Sequence, residues 1–198
     1  FNAHPGDDHK AILHYQCNLQ ISEALYPSLS VLEVALRNAL NDQLAKKFGV
    51  ADWYTHFPTT PGLTNLTKEI AKAQQLITQR KEVVTPPKVV AELTLGFWVR
   101  LFNREYELKL WKDLRRAFPN MEKRHRQRKN VTAPLNHFRT LRNRVFHNEP
   151  ILWNFKNLEN AHNQIIQMMD WLNRDLPKWV SSVDRFDAVL QDVKKKLK

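Results

Sequence analysis

Residues 142–147 read Arg-Asn-Arg-Val-Phe-His and combine side chains that hold a phosphate with one that moves a proton. Arginine binds a phosphate bidentately and stays charged at every physiological pH. Histidine gives and takes protons near neutral pH, and an asparagine amide orients the histidine or binds a phosphate oxygen. Arg142, Asn143 and His147 are therefore the candidate catalytic residues, and Arg144 is a second candidate phosphate ligand.

The helical pattern around this segment separates its apolar from its polar side chains. At about 100° per residue, Leu135, Phe138, Leu141 and Val145 share one face, which is predicted to face the core. Arg142 falls inside this apolar arc, where an unpaired guanidinium is costly. It must therefore find an anion, a partner helix or a cleft.

Asn143 and His147 lie four residues apart on the polar face, with Arg139 nearby. On an unbroken helix Arg142 and His147 are about 140° apart, whereas Arg144 is only about 60° from His147. Either the helix loosens near His147, or a second chain completes the site. A purely structural interpretation stays open, in which Arg142 pairs with Glu33 and His147 interacts favourably with the helix dipole.

Helical periodicity extends along nearly the whole chain. A helix is predicted from Asp8 to about Leu25, and Pro27 then opens a second one with leucines at spacings of three and four, up to the stop at Gly49. Further helices are predicted at about 65–83, 85–103, 105–118, 132–148 and 158–176. Pro150 sets the end near residue 148, because it disfavours helical geometry at the preceding residue. Ser181 or Ser182 caps a last helix.

Composition and charge narrow the class of protein. The 198 residues contain 42% hydrophobic and 26% charged residues, as in a globular protein, with only four glycines and one cysteine, Cys17. We therefore predict an all-α protein with no Gly-rich phosphate loop, no disulfide within the chain, no metal site and no cofactor. Residues 1–180 are predicted to form a single domain and residues 181–198 a basic C-terminal helix or tail. No apolar run suggests a membrane span, so a cytoplasmic protein is expected.

The net charge of +11 is concentrated, because residues 101–148 contain 13 basic and 4 acidic residues, a balance of +9. Such a concentration indicates a polyanionic partner, with nucleic acid the first candidate. The predicted RNA-binding residues are Lys123, Arg124, Arg126, Arg128, Lys129 and Arg139. The alternative is a solvated loop whose charge serves solubility.

Residues 142–147 also resemble the Arg-x4-His motif of HEPN domains (higher eukaryotes and prokaryotes nucleotide-binding). The surrounding sequence is similar to the bacterial abortive-infection Abi-like family, in its AbiD/AbiF branch. Three ordered blocks within residues 25–175 carry the similarity: LEVALRN at 32–38, AELTLGFW at 91–98, and RNR with HNEPI in 142–151. Asn148 departs from the family pattern, which has a second histidine there.

This resemblance implies a HEPN-like helical bundle with additional helices and a metal-independent endoribonuclease activity. The ribose 2′-hydroxyl would attack the adjacent phosphate, with Arg142 and His147 at the reacting centre and Glu33, Arg37 and Asn38 in support. One imidazole per chain implies a homodimer, and the biological role would be phage defence or a growth-arresting toxin. The alternative is a non-catalytic RNA-binding module that binds, or is controlled by, a regulatory RNA. A helical DNA-binding regulator is disfavoured, because nothing resembles a helix-turn-helix among the basic residues.

Overall fold

The structure is a computed structural model that describes residues 6–152 and 154–197. Every regular element within these ranges is helical, which confirms the predicted all-α class. The α-helices are α1 (Asp8–Phe48), α2 (Thr67–Gln79), α3 (Pro86–Glu92), α4 (Leu95–Arg100), α5 (Lys112–Leu114), α6 (Arg128–Phe146), α7 (Phe155–Leu172), α8 (Asp175–Val180) and α9 (Phe186–Lys196). Short 3₁₀ turns lie at Trp53–His56, Thr64–Leu66, Arg104–Tyr106, Arg115–Ala117 and Lys123–His125, and a π-helical turn at Glu107–Trp111.

Helix α1 is one continuous element of 41 residues, so the prediction that Pro27 opens a new helix is wrong. A proline inside a helix removes one backbone hydrogen bond. Here the buried Ser28 hydroxyl donates to the Leu25 carbonyl at 2.9 Å beside the interruption. Burial on both sides of Pro27 outweighs the lost hydrogen bond. The regularly spaced leucines after Pro27 are fully buried, and so are Ile21 and Leu25 before it. Gly49 ends the helix as predicted, with a φ of 76°.

Helix α6 begins at Arg128, earlier than the predicted start at Thr132 and Pro134. Pro134 therefore lies inside the helix, which continues past it because the face formed by Val131, Leu135 and Phe138 is buried. The predicted end near residue 148 is confirmed, since the helix ends at Phe146.

Two other predicted helix limits are wrong for reasons of capping. The helix predicted over 85–103 is interrupted at Leu93 and restarts as α4, where the Thr94 hydroxyl accepts a hydrogen bond from the Phe97 N–H. Ser181 and Ser182 donate to carbonyls at the end of α8 instead of capping α9. Helix α9 begins after Asp184, whose carboxylate accepts from the Phe186 N–H at 2.9 Å.

The described chain divides into two compact units. The first unit contains the residues up to Leu32, His137–Asp170 and those from Arg174 onward. Its buried His162 bonds Asp184 at 2.7 Å and stacks on Phe186, which ties α9 to α7.

The second unit contains Glu33–Asn136 and Trp171–Asn173. Its core is aromatic: Trp53 contacts the rings of Phe57, Phe97 and Trp98 at centroid distances of 5.2–6.2 Å. Trp53 also donates its indole N–H to Asn41 on α1. The single domain predicted over 1–180 stays a prediction.

Candidate functional site

The C-terminal end of α6 fixes the backbone around His147. The Asn148 N–H bonds the Val145 carbonyl, and the Glu149 N–H bonds the Arg144 carbonyl at 2.9 Å. Asn148 between them has a φ of 54°. This is a Schellman motif, with His147 as the C-cap and Pro150 directly after it.

The residue type of Asn148 suits this conformation. Asparagine is among the few residues other than glycine that adopt a left-handed conformation readily. Asn148 therefore stops α6, and the helix ends within one residue of His147.

Asn18 on α1 holds the segment that follows. Its side-chain carbonyl accepts from the Ile151 N–H at 2.7 Å, and its amide donates to the Glu149 carbonyl at 3.3 Å. Asn18 is only 4% exposed. One buried amide therefore satisfies the backbone on both sides of Pro150 and fixes the path of the chain leaving His147.

Arg142 lies against an aromatic pair in the first unit. Its guanidinium carbon is 4.2 Å from the centroid of the Phe146 ring, which stacks on Tyr26 at 5.0 Å. A cation–π contact of this kind orients the guanidinium. The predicted apolar arc is confirmed for Leu135, Phe138 and Val145, all buried, and Arg142 is half-buried at its edge.

Asn143 and His147 are both exposed, as their place on the polar arc predicts. The His147 N–H donates to the Asn143 carbonyl at 3.0 Å, so the two residues lie one helical turn apart. Arg144 is half-exposed and its Nε lies 3.4 Å from a Glu149 carboxylate oxygen. A solvent-exposed pair of this kind contributes little to stability and exchanges easily for another anion. Arg139 is half-buried on the same helix.

A groove with a volume of about 680 Å³ lies between α6 and α7 within the first unit. Its polar side chains from α6 are His137, Thr140 and Arg144. On the other side the groove is lined by amide side chains of Asn154, Asn157, Asn160 and Gln164. Of the predicted site residues, only Arg144 lines this groove.

The predicted supporting residues belong to the second unit. Arg37 and Asn38 line a cavity of about 250 Å³ together with Asn41, and the Arg37 Nε lies 3.4 Å from the Asn38 side-chain oxygen. Glu33 is half-buried on α1. Their predicted supporting role stays a prediction.

The densest basic segment, residues 123–129, holds two kinds of cation. Arg126 donates to the carbonyls of Pro119 and Met121, and Arg128 pairs with Glu107 at 2.9 Å while donating to the Phe102 carbonyl. Arg128 is only 17% exposed. These two guanidinium groups hold the fold around the start of α6.

The remaining three cations of this segment are exposed. Arg124 pairs with Glu122 at 2.7 Å, and both side chains are largely in solvent. Lys123 and Lys129 are also exposed. These three side chains are the ones in the segment that a polyanion can reach.

Three structural findings bear on metal binding, thiol chemistry and the membrane. Among residues 6–152 and 154–197 there is no group of three or more His, Cys, Asp or Glu side chains arranged to hold a metal ion. Burial raises the pKa of the Cys17 thiol, which keeps it protonated and unreactive. In the same residues no helix has the length and hydropathy needed to cross a membrane.

No protein-family model, curated protein or solved structure matches the chain in comparisons with known proteins. The assignment of a function therefore depends on the residues and geometry described above.

The groove between α6 and α7 and the contacts of Asn18 were not predicted from the sequence. His137 lies seven residues before Arg144, and two helical turns place both on one face. The amides of α7 recur at helical spacing, which also predicts a shared face. Asn18 carried no comparable signal, because its role depends on a contact with Ile151, 133 positions away.

Proposed function

We propose that the chain is a metal-independent endoribonuclease of the HEPN type, acting in phage defence or as a growth-arresting toxin. Arg142 would hold the scissile phosphate, and His147 would transfer a proton with help from Asn143. The observation that carries the proposal is the end of α6, where a Schellman motif fixes an exposed histidine one turn after an exposed asparagine. The resemblance of residues 142–151 to the Abi-like family supports the same assignment.

The proposed reaction uses a guanidinium and imidazoles, groups of the types found in residues 142–147. The ribose 2′-hydroxyl gives its proton to a neutral imidazole and attacks phosphorus, and the bond from phosphorus to the 5′-oxygen breaks. The leaving oxygen takes up a proton from an imidazolium, so that the products are a 2′,3′-cyclic phosphate and a 5′-hydroxyl. A guanidinium stabilises the additional charge of the five-coordinate transition state.

Two proton transfers on opposite sides of phosphorus favour two imidazoles, and therefore a homodimer. An exposed apolar stripe on α1 supports this part of the proposal. Its residues Ile12, Tyr15, Leu19 and Tyr26 are 37–56% exposed and are separated by three, four and seven positions, the spacing of a helix–helix seam. Tyr26 also packs on Phe146, beside Arg142, so a second copy bound along the stripe would approach the proposed site.

The second candidate function is an RNA-binding module without catalysis. The groove between α6 and α7 favours it, because the groove has groups for holding RNA and His147 does not line it. The two functions differ in what happens to bound RNA.

The decisive experiment incubates the purified protein with cellular RNA in excess chelator and maps the ends. The expected products carry cyclic phosphates and 5′-hydroxyls. His147→Ala should abolish them while His9→Ala, an exposed histidine of α1, should not. Full cleavage by His147→Ala would overturn the assignment, and RNA that is bound but never cut would establish the second candidate.

The homodimer is tested on the same preparation by sedimentation velocity. Tyr15→Glu combined with Leu19→Glu should convert dimer to monomer and remove cleavage, whereas Val183→Glu, an exposed apolar residue outside the stripe, should change neither. A monomeric wild-type protein that still cleaves RNA would contradict the dimer.

A further inference from the structure

The groove between α6 and α7 has the volume and lining of a ligand site. Its volume of about 680 Å³ lies in the usual range for small-molecule sites, roughly 300–1,000 Å³. Leu141, Ile151, Leu158 and Ala161 supply an apolar surface within it. Polar groups surround this surface, and their chemistry indicates what the groove binds.

The charge of the groove favours an anionic ligand. Arg144 lines it from α6, and no carboxylate does so among the described residues. The Glu149 carboxylate that approaches Arg144 is half-exposed and lies outside the lining. A phosphate entering the groove can therefore replace a weak, solvent-screened partner.

The amides favour a ligand with several hydrogen-bonding edges. Asn157 and Asn160 are exposed and Gln164 is half-buried. Within the described part of the chain these three side chains make no hydrogen bonds to the protein. Each amide offers a paired donor and acceptor, the combination that recognises the edge of a nucleobase.

His137 supplies a flat ring on the same face of α6 as Arg144. Bases of single-stranded RNA are commonly held by stacking on histidine or other aromatic rings. From these contacts we infer that the groove binds one nucleotide unit, with its phosphate on Arg144, its base edge on the amides of α7 and its base face against His137 and the apolar surface. The inference goes beyond the proposed cleavage, because such a site serves a nuclease or an RNA-binding module equally.

The test uses probes that the proposed activity cannot cut. Adenosine 5′-monophosphate has no phosphodiester bond, and a single-stranded tetranucleotide with 2′-O-methyl groups lacks the attacking hydroxyl. Nuclear magnetic resonance of the ¹⁵N-labelled protein follows the side-chain amide signals directly. The signals of Asn157, Asn160 and Gln164 should shift on titration, and that of Asn163, which is exposed on α7 outside the groove, should not.

Variants then test the groups separately by calorimetry. Asn157→Ala with Asn160→Ala, and separately Arg144→Gln, should each weaken binding about tenfold, the loss that corresponds to one good hydrogen bond or ion contact. The matched controls Asn163→Ala and Arg174→Gln should bind as the wild type does. A tetranucleotide that binds more tightly than the monophosphate would identify RNA as the source of the nucleotide, and equal or weaker binding would identify free nucleotide.

Unshifted amide signals, or groove variants that bind like the wild type, would overturn the inference. Its failure is separable from failure of the proposed nuclease. His147 lies outside the groove, so His147→Ala should keep the adenosine 5′-monophosphate binding and the amide shifts even where cleavage is lost.

Discussion

The two ends of α6 use arginine in opposite ways. At its start, in the second unit, Arg126 and Arg128 donate to the carbonyls of Pro119, Met121 and Phe102, and Arg128 also pairs with Glu107. At its other end, in the first unit, Arg142 lies over the Phe146 ring and Arg144 is half-exposed beside a groove. The arginines at the start bind loop carbonyls within the fold, whereas Arg144 at the end lies beside a groove.

This difference shows that a segment rich in basic residues does not necessarily present those residues to a ligand. The carbonyls that Arg126 and Arg128 bind lie in non-helical segments, where no regular backbone partner exists. An arginine can satisfy such carbonyls with several N–H groups at once. Charge counted along the sequence therefore overstates the number of cations in residues 123–129 that a polyanion can reach.

The largest expected effect is at the C-terminal end. Arg142→Ala should reduce RNA cleavage by roughly 10²–10³-fold, because a charged donor aimed at the transition state is lost. The melting temperature is measured alongside cleavage, because loss of the contact between Arg142 and the Phe146 ring also lowers stability. Arg174→Ala is the control. Cleavage by Arg142→Ala at the wild-type rate would show that Arg142 does not act on the phosphate.

The next effect is on stability, at the start of α6. Arg128→Ala should lower the free energy of unfolding by about 2–3 kcal/mol, because Glu107 and the Phe102 carbonyl lose a shared charged partner. Lys129→Ala, the exposed neighbour, should change it by less than about 0.5 kcal/mol. Chemical denaturation measures both, and equal effects would show that the two cations are equivalent after all.

A smaller effect on stability is expected at Asn148, which ends α6. Asn148→Ala should cost about 1 kcal/mol of folding free energy, since alanine is strained at a φ of 54°. Asn148→Gly should be neutral or slightly stabilising, because glycine adopts this conformation freely. Thermal unfolding of the two variants measures both effects. An alanine variant as stable as the wild type would contradict the Schellman motif.

The smallest effect concerns the exposed lysines. Lys123→Gln with Lys129→Gln should reduce the log–log salt slope of RNA binding by about 1.4, or roughly 0.7 for each phosphate contact on a single strand. Arg126→Gln should alter the slope less, because its guanidinium already binds two carbonyls. An unchanged slope in the double lysine variant would assign this segment to solubility.

The sequence predicted the fold class and the end of α6 because local signals determine them. Leucines at helical spacing mark the buried face of α1, and Pro150 marks the stop after His147. The prediction failed at Pro27, where tertiary burial outweighs a local helix breaker.

The candidate site was predictable only in part. The angular placement of Asn143 and His147 followed from helix geometry, since both lie on the exposed arc. The use of Arg126 and Arg128 in the fold did not follow, because it depends on carbonyls of loops whose path the sequence does not reveal. Local pattern identifies a side chain's face, and only the folded structure identifies its partner.

The two side-chain hydrogen bonds of Asn18 are expected to form late as the chain is synthesised and folds. These two bonds join residues that are 131 and 133 positions apart, so they close a long loop and are expected to form after the local contacts within the helices. A growing chain on the ribosome cannot close this segment before Ile151 has emerged. The Ile151 amide hydrogen is expected to exchange slowly with solvent, because its bond to the buried Asn18 side chain breaks only when this long loop opens.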